Sequence, residues 1–494
     1  MHKVVVVSGV TFEFPNGREL FHSISFSLGR GITALVGPNG AGKTTLAKLL
    51  TGEIEPTRGT IRGAGPIAYL PQREVPPAIA IGAYLGFEFS RSSLGERLLQ
   101  GIDREALCTV LSGGEWMRVR LARTLDERFL ILDEPTNDLD REGREAVLGF
   151  LRERNGGALL ISHDRECLEL CDEVLELSNR GLCKFGDGWS AYENAKVAER
   201  ERLGHALDVA KRERDEMAAT REAQRVRQEK RSRRGAAAAA RGGMPKILLG
   251  ARKRQAQETS GRIDAETWAR KNEAVSEAHS AYLELKVDPL MYADLIGREL
   301  PAQKLVAEAS DFNVRFQDRV YRENLNFNWR GNIRVALKGP NGSGKSTLLR
   351  AIMGEKLPVR GEIRTGSLST LYIDQRCSVL DDTRSVLENM RDATHLTETE
   401  IRNGLARFLF AKDLVFQKVA ELSGGERLRA TLARGLLSQE KPELLVLDEP
   451  TNNLDLANID FLENFVRQCR AALIVISHDE VFLKNCGVRE AFNL

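Results

Sequence analysis

No stretch of this 494-residue chain approaches the ~20 consecutive apolar residues that a membrane-crossing helix needs. No secretory leader is expected either: Met1-His2-Lys3-Val4-Val5-Val6-Val7 is a short apolar run without a cleavage site, and it reads as a first strand. Cysteine is scarce, and an odd total of seven with no paired spacing fits a reducing compartment rather than a disulfide framework. Cys167 and Cys171 stand four apart with Cys183 beyond, but they read as ordinary thiols rather than as a metal set. A cytoplasmic location is expected. Net charge is nearly absent at +2, although it is unevenly spread. The apolar share of 42% and charged share of 29% belong to a globular protein, and the length allows two or three domains.

What the chain does contain, it contains twice. Gly37-Pro38-Asn39-Gly40-Ala41-Gly42-Lys43-Thr44 follows a strand-like run, Ile32 to Val36, and precedes a helix start at Thr45. Gly339-Pro340-Asn341-Gly342-Ser343-Gly344-Lys345-Ser346, followed by Thr347, repeats it 302 residues later. Glycines let backbone N–H groups turn inward around phosphate oxygens, and a helix N-terminus adds positive potential. Lys43 and Lys345 are expected to reach the β- and γ-phosphates of ATP, and Thr44 and Ser346 to hold Mg²⁺.

Further motifs recur in the same order. Gln72 ends a strand-like run, as does Gln375. Leu111-Ser112-Gly113-Gly114-Glu115 returns as Leu422-Ser423-Gly424-Gly425-Glu426. Apolar runs end in Asp133-Glu134 and Asp448-Glu449, and later ones end in His163 and His478. The glutamate-to-histidine interval is 29 in both copies. Ligands of open α/β sheets bind at the carboxyl ends of parallel strands. Asp133 and Asp448, with Gln72 and Gln375, therefore read as metal ligands. Glu134 and Glu449 read as general bases for the attacking water, and His163 and His478 as γ-phosphate sensors. Phe14 and Phe316 each lie 29 residues before a loop lysine; each is either an adenine-stacking ring or a core phenylalanine.

The Leu-Ser-Gly-Gly-Glu run, placed between a phosphate loop and an Asp-Glu pair, resembles the signature motif of ABC ATPases. The resemblance implies two nucleotide-binding domains closing head to tail over two ATP molecules. One composite site would pair Lys43, Thr44, Gln72, Asp133, Glu134 and His163 with Ser423 and Gly425. The other would pair Lys345, Ser346, Gln375, Asp448, Glu449 and His478 with Ser112 and Gly114. Since both glutamates are present, both sites are expected to hydrolyse ATP. Asp138 stands where related chains often have histidine, against Asn453 in the second copy, and Lys338 interrupts the strand before the second loop.

Between the repeats the composition changes. Arg221 to Arg254 holds twelve basic and two acidic residues, a net +10 that leaves the rest of the chain at −8. Trp268, Val275 and Tyr282 recur every seven residues, with Ala278 and Leu285 near the same stripe, and an earlier stripe runs through Val197, Leu203, Leu207, Ala210 and Met217. This predicts two antiparallel helices with a basic, irregular tip near Arg233–Arg254, broken at Gly242-Gly243-Met244-Pro245. Such a charge at a hairpin tip is an electrostatic footprint for nucleic acid, although a solvated linker has the same composition.

The expected architecture is α/β: one ABC nucleotide-binding domain over 1–192, a basic two-helix linker over 193–287, and a second such domain over 288–494. This resembles the F subfamily of ABC ATPases, whose members act at the ribosome with the linker reaching toward peptidyl-tRNA and rRNA. The resemblance implies a monomeric ATPase with intramolecular domain pairing and no membrane partner. It would dock on the ribosome with ATP bound and leave on hydrolysis, as a translation factor. An antibiotic-protection role, a DNA-binding ATPase and the ATPase subunit of a transporter remain the alternatives. Only 40 positions separate Gln72 from Ser112 and sixteen residues follow His478, so neither the long arm some members carry nor a C-terminal coiled coil is expected.

Overall fold

The computed structural model describes residues 5–63, 67–86, 93–125, 129–154, 156–178, 181–240, 297–316, 319–321, 323–355, 359–452 and 454–494. They fall into two compact units. One joins Met1–Tyr192 to Pro289–Leu494, and the other is Glu193–Asp288.

Within the first unit each half is built alike. In the first half, β1 (Val5–Glu13) and β2 (Glu19–Leu28) pair antiparallel, and β1 also takes β4 (Arg58–Arg62). Alternating burial along β2 marks a sheet with one face on the core. A second sheet holds β3 (Ile32–Val36), β5 (Ile67–Leu70), β6 (Phe129–Asp133), β7 (Gly157–Ile161), β8 (Glu173–Ser178) and β9 (Gly181–Phe185), in the order β5-β6-β7-β3-β8-β9. All are parallel except the pair β8–β9. Strands β3, β6 and β7 are buried at every position, which is why they read as unbroken apolar runs. Each Leu or Ile so buried contributes about 1.5–3 kcal/mol relative to exposure.

The second half repeats the plan. β10 (Leu305–Phe316) pairs antiparallel with β11 (Arg319–Val320), β12 (Leu325–Arg330) and β14 (Val359–Thr365). Strands β13 (Arg334–Lys338), β15 (Thr370–Ile373), β16 (Leu444–Asp448), β17 (Ala472–Ile476) and β18 (Glu490–Asn493) form a parallel sheet in the order β15-β16-β17-β13-β18. Lys338 ends β13 half-exposed with its ammonium on Glu480, so the charge that interrupts the apolar pattern lies at the strand's rim.

One helix runs unbroken from Gly188 to Ala240. It includes Arg233, Arg234 and the Ala236–Ala240 run, so the irregular tip expected from Arg233 does not begin there. Alanine is the best helix former, and that propensity carries the helix past the arginines. The Gly242–Pro245 break, the residues 241–254 of the basic stretch and the Trp268, Val275, Ala278, Tyr282, Leu285 stripe lie outside the described residues. No described helix is long and apolar enough to cross a membrane.

Candidate active site

The two phosphate loops share one backbone. Gly42 and Gly344 have φ of 100° and 90°, and each directly precedes a helix, Lys43–Thr51 or Lys345–Ile352. Only glycine takes that left-handed turn freely, and an added Cβ would lie 2.7 Å from Phe21 or Tyr321. The first-turn N–H groups of each helix therefore open onto the loop. Lys43 Nζ donates to the carbonyls of Gly37 and Pro38 at 2.7 and 3.2 Å, and Lys345 Nζ to Gly339 and Pro340 at 2.6 and 3.0 Å. Burial lowers the pKa of both lysines, opposed chiefly by the charges of Glu134 and Glu449. Beside the second loop lies a cleft of about 910 Å³, lined by Asn341, Gly342, Ser343, Gly344 and Tyr321 among others. Ser343 Oγ is buried with no hydrogen-bonding partner among the described residues, an open acceptor and donor in a loop shaped for phosphate.

Strand ends β6 and β16 bring the carboxylates to these loops. Thr44 Oγ1 donates to Asp133 Oδ2 at 2.8 Å, and the Ser346 hydroxyl meets Asp448 in the same way. Burial raises the pKa of both aspartates, and the Thr44 and Ser346 hydroxyls oppose it most. A hydroxyl and a carboxylate beside a phosphate cradle suit Mg²⁺, which takes few protein oxygens and shares the rest with phosphate and water.

Glu134 and Glu449 have φ of 49° and 48°, left-handed positions that non-glycine residues seldom hold. Each is fixed there by its N–H, which donates to Ile161 O at 2.8 Å or Ile476 O at 2.9 Å on the neighbouring strand. His163 Nε2 lies 3.4 Å from Glu134 Oε1, and His478 Nε2 lies 3.4 Å from Glu449 Oε1. Burial pushes the Glu449 carboxyl up to about 7 and raises that of Glu134. Burial, helped by the nearby lysine, holds His163 well below its ordinary range and brings His478 to about 4. Both rings are thus neutral near pH 7. The buried ring nitrogens of His163 make no hydrogen bond among the described residues.

The two signature serines cap helices. Ser112 precedes Gly113–Arg123 and Ser423 precedes Gly424–Leu437, each in a reciprocal capping box with Glu115 or Glu426. The Gly113, Gly114, Gly424 and Gly425 amides so stand at helix N-termini, where an anion is favoured.

Hydrogen bonds also cross between the halves. Asn39 N donates to Asp455 Oδ2 at 3.2 Å, and Asn341 Nδ2 donates to Asp138 O at 3.1 Å. Each phosphate loop thus meets the turn that follows the other half's Asp-Glu pair. Gln375 Nε2 also bonds Asp138 Oδ1, at 3.1 Å, and both Gln375 and Gln72 are exposed. Thr45 and Thr347 follow the loop lysines in their helices. Phe14 is half-buried and packs edge-on against Phe12 at 5.4 Å. The side chain of Phe316 and the whole of Asn453 lie outside the described residues.

A family model described as ABC transporter matches residues 21–80 and 322–452. The chain is 30% identical to the ATP-binding protein Uup of Caulobacter vibrioides over 486 residues, 94% of this chain and 73% of that protein. It is 28% identical to ABC transporter F family member 5 of Arabidopsis thaliana, across 97% of this chain and 72% of that one. The chain belongs to the F subfamily of ABC ATPases. Another F-subfamily relative is ribosome protection protein VmlR of Bacillus subtilis, 27% identical over 98% of this chain and 85% of that protein. The crystal structure of an archaeal ribosome recycling factor with a ribosomal stalk protein shares the fold, with TM-score 0.57 and 17% identity over 97% of this chain and 86% of that one. As an ABC-F protein the chain binds and hydrolyses ATP.

Sequence reading missed several residues of this ABC-F site. Tyr69 Oη donates to Asp133 Oδ2 at 3.1 Å, and Tyr372 Oη to Asp448 Oδ2 at 3.3 Å. The available signal was their recurrence three residues before each glutamine. Asp455 serves both as a cap for its own helix and as acceptor for the opposite loop, a double role no motif announces.

Proposed function

We propose that this ABC-F ATPase works on the ribosome, docking while ATP bridges its two halves and leaving on hydrolysis. In this reading Lys43 and Lys345 bind the terminal phosphates. Asp133 and Asp448, with Thr44, Ser346, Gln72 and Gln375, hold Mg²⁺, which shields phosphate charge when bound. Glu134 and Glu449 take the proton of the attacking water. His163 and His478 stay neutral and present a ring nitrogen to the γ-phosphate. The signature serines and glycines of each half face the phosphate held by the other. Phe14 and Phe316 are the candidate adenine-stacking rings. The domains span 1–192 and 288–494, with the linker at 193–287.

The observation that carries the ribosomal reading is the run of exposed basic side chains on the long helix: Arg227, Lys230, Arg231, Arg233 and Arg234. They open the +10 stretch from Arg221 to Arg254. Such a cluster favours polyanions through counterion release, and rRNA and tRNA are the polyanions of a ribosome. The ribosome-directed name of VmlR, matched nearly end to end, supports the same class of partner and also favours a second reading, in which docking protects the ribosome from an antibiotic. The test is ATP turnover with and without purified ribosomes, beside drug susceptibility of cells expressing the protein. Ribosome-stimulated turnover that needs the five basic residues supports docking. A drug-specific rise in resistance selects protection, and no stimulation at low salt counts against both.

A further inference from the structure

The loops that carry Gln72 and Gln375 are held by different partners. In the first half, buried Arg120 on the signature helix donates to Glu74 Oε2 at 2.8 Å and to the Pro71 carbonyl at 2.6 Å. Trp116 Nε1 adds a bond to the Glu74 carbonyl at 3.2 Å. Pro71 and Glu74 flank Gln72, so this loop is pinned inside its own half by a charged pair.

The second half lacks that charged pair, although Arg427 of its signature helix donates to the Arg376 carbonyl at 3.4 Å. The repeat offsets, 311 for the signature helices and 303 for the glutamine loops, match Arg120 to Thr431 and Glu74 to Cys377. Both are buried and share only a neutral hydrogen bond, of a kind about half as strong as a charge-assisted one. The Gln375 side chain itself is held from outside, by Asp138 of the first half at 3.1 Å. Asp138 has φ of 60°, and its carbonyl also receives Asn341 Nδ2. One residue of the first half therefore ties the second site's glutamine and its phosphate loop together.

We propose that the two ATP sites are unequal and that Asp138 is a positioning residue of the second. It sets the Gln375 side chain from across the interface, so the second site's glutamine is in place only while the halves are together. The loop that carries Gln72 is set from within its own half through Pro71 and Glu74. This rests on the nucleotide-site reading above.

Glu134→Gln leaves the second site as the one that turns over, and Glu449→Gln leaves the first. Adding Asp138→Ala lowers second-site turnover at least five times more than first-site turnover, and Glu74→Ala does the reverse. Asp138→Asn keeps an acceptor oxygen and restores the second site to within about threefold. Fluorescent ATP analogue binding supplies a readout apart from turnover. In Lys43→Ala protein, Asp138→Ala weakens the affinity measured with Mg²⁺ about tenfold more than the affinity measured in EDTA. Equal effects on both sites, no rescue by Asn, or equal losses with and without Mg²⁺ overturn the proposal. If the Glu134→Gln/Glu449→Gln pair leaves turnover intact, the site assignment itself fails instead.

Discussion

Arg165→Ala should loosen the pairing of the two halves by about 3 kcal/mol. Arg165 Nη1 donates to Glu463 Oε1 at 2.5 Å, and Nη2 donates to Asp460 Oδ1 at 2.7 Å and to Glu463 Oε2 at 3.3 Å. The Arg165 and Glu463 side chains are only 11% and 9% exposed. Burial raises the Glu463 carboxyl's pKa despite the guanidinium beside it, so that charge is costly once Arg165 is gone. Removing one partner of a buried pair costs about 3–5 kcal/mol, and the lower end applies because Asp460 keeps some solvent contact. A loss of 3 kcal/mol is roughly a hundredfold. The assay is release of a fluorescent ATP analogue from Glu134→Gln/Glu449→Gln protein, where separation of the halves limits escape. Arg165→Ala should speed release roughly a hundredfold, Glu463→Gln about tenfold, and Arg165→Ala/Glu463→Leu less than Arg165→Ala alone, because the buried Glu463 charge is gone and only the more exposed Asp460 loses its guanidinium. The repeat-matched positions are Glu480 and Leu148, so the pair is one-sided. Glu480→Ala, which breaks only an exposed pair with Lys338, should stay within about 1 kcal/mol. Unchanged release in Arg165→Ala, or a coupling energy below ~0.5 kcal/mol, would refute the reasoning.

Tyr69→Phe and Tyr372→Phe each remove a hydrogen bond to a carboxylate of about 1.5–3 kcal/mol. Turnover at the affected site should fall about tenfold or more with Mg²⁺, while ATP affinity in EDTA holds; equal losses in both would contradict the assignment. Ser112→Ala should cost about 1 kcal/mol of stability by removing the cap, whereas Ser112→Thr keeps a hydroxyl that caps Glu115 N and donates to the Glu115 carboxylate, so melting temperature should hold. With Glu134→Gln, the remaining base is Glu449, raised to about 7 by burial. A carboxyl acts as base only after losing its proton, so turnover should climb through about pH 7, and a flat profile from pH 5.5 to 9 would exclude that role.

Repetition is what made the site legible. Each motif residue has a bland reading alone, but an ordered set that recurs at nearly constant offset brings Lys43, Thr44, Asp133, Glu134 and His163 together, and their counterparts likewise. The buried parallel strands were legible for a related reason: their apolar runs end where the chemistry begins. Contacts across the halves were not. Arg165 with Glu463 and Gln375 with Asp138 join residues 298 and 237 positions apart, and their pairing depends on how two helices and two turns meet. Position-matched substitution between repeats was the faint trace, as with Arg120 and Glu74 against Thr431 and Cys377. The long helix is legible in the sequence, but its run through Ala240 is not, because the arginine cluster suggests a solvated tip while alanine propensity extends the helix.

Co-sedimentation with purified ribosomes tests the central claim most directly. Glu134→Gln/Glu449→Gln protein should pellet with ribosomes when ATP is present and stay in the supernatant without it. Replacing Arg227, Lys230, Arg231, Arg233 and Arg234 by Gln should abolish that binding while ATP affinity holds, and salt should weaken the parent steeply, with a log–log slope of about −3.5 to −4.5 for five contacts. ATP-independent pelleting, or binding that survives loss of the five charges, would contradict the account.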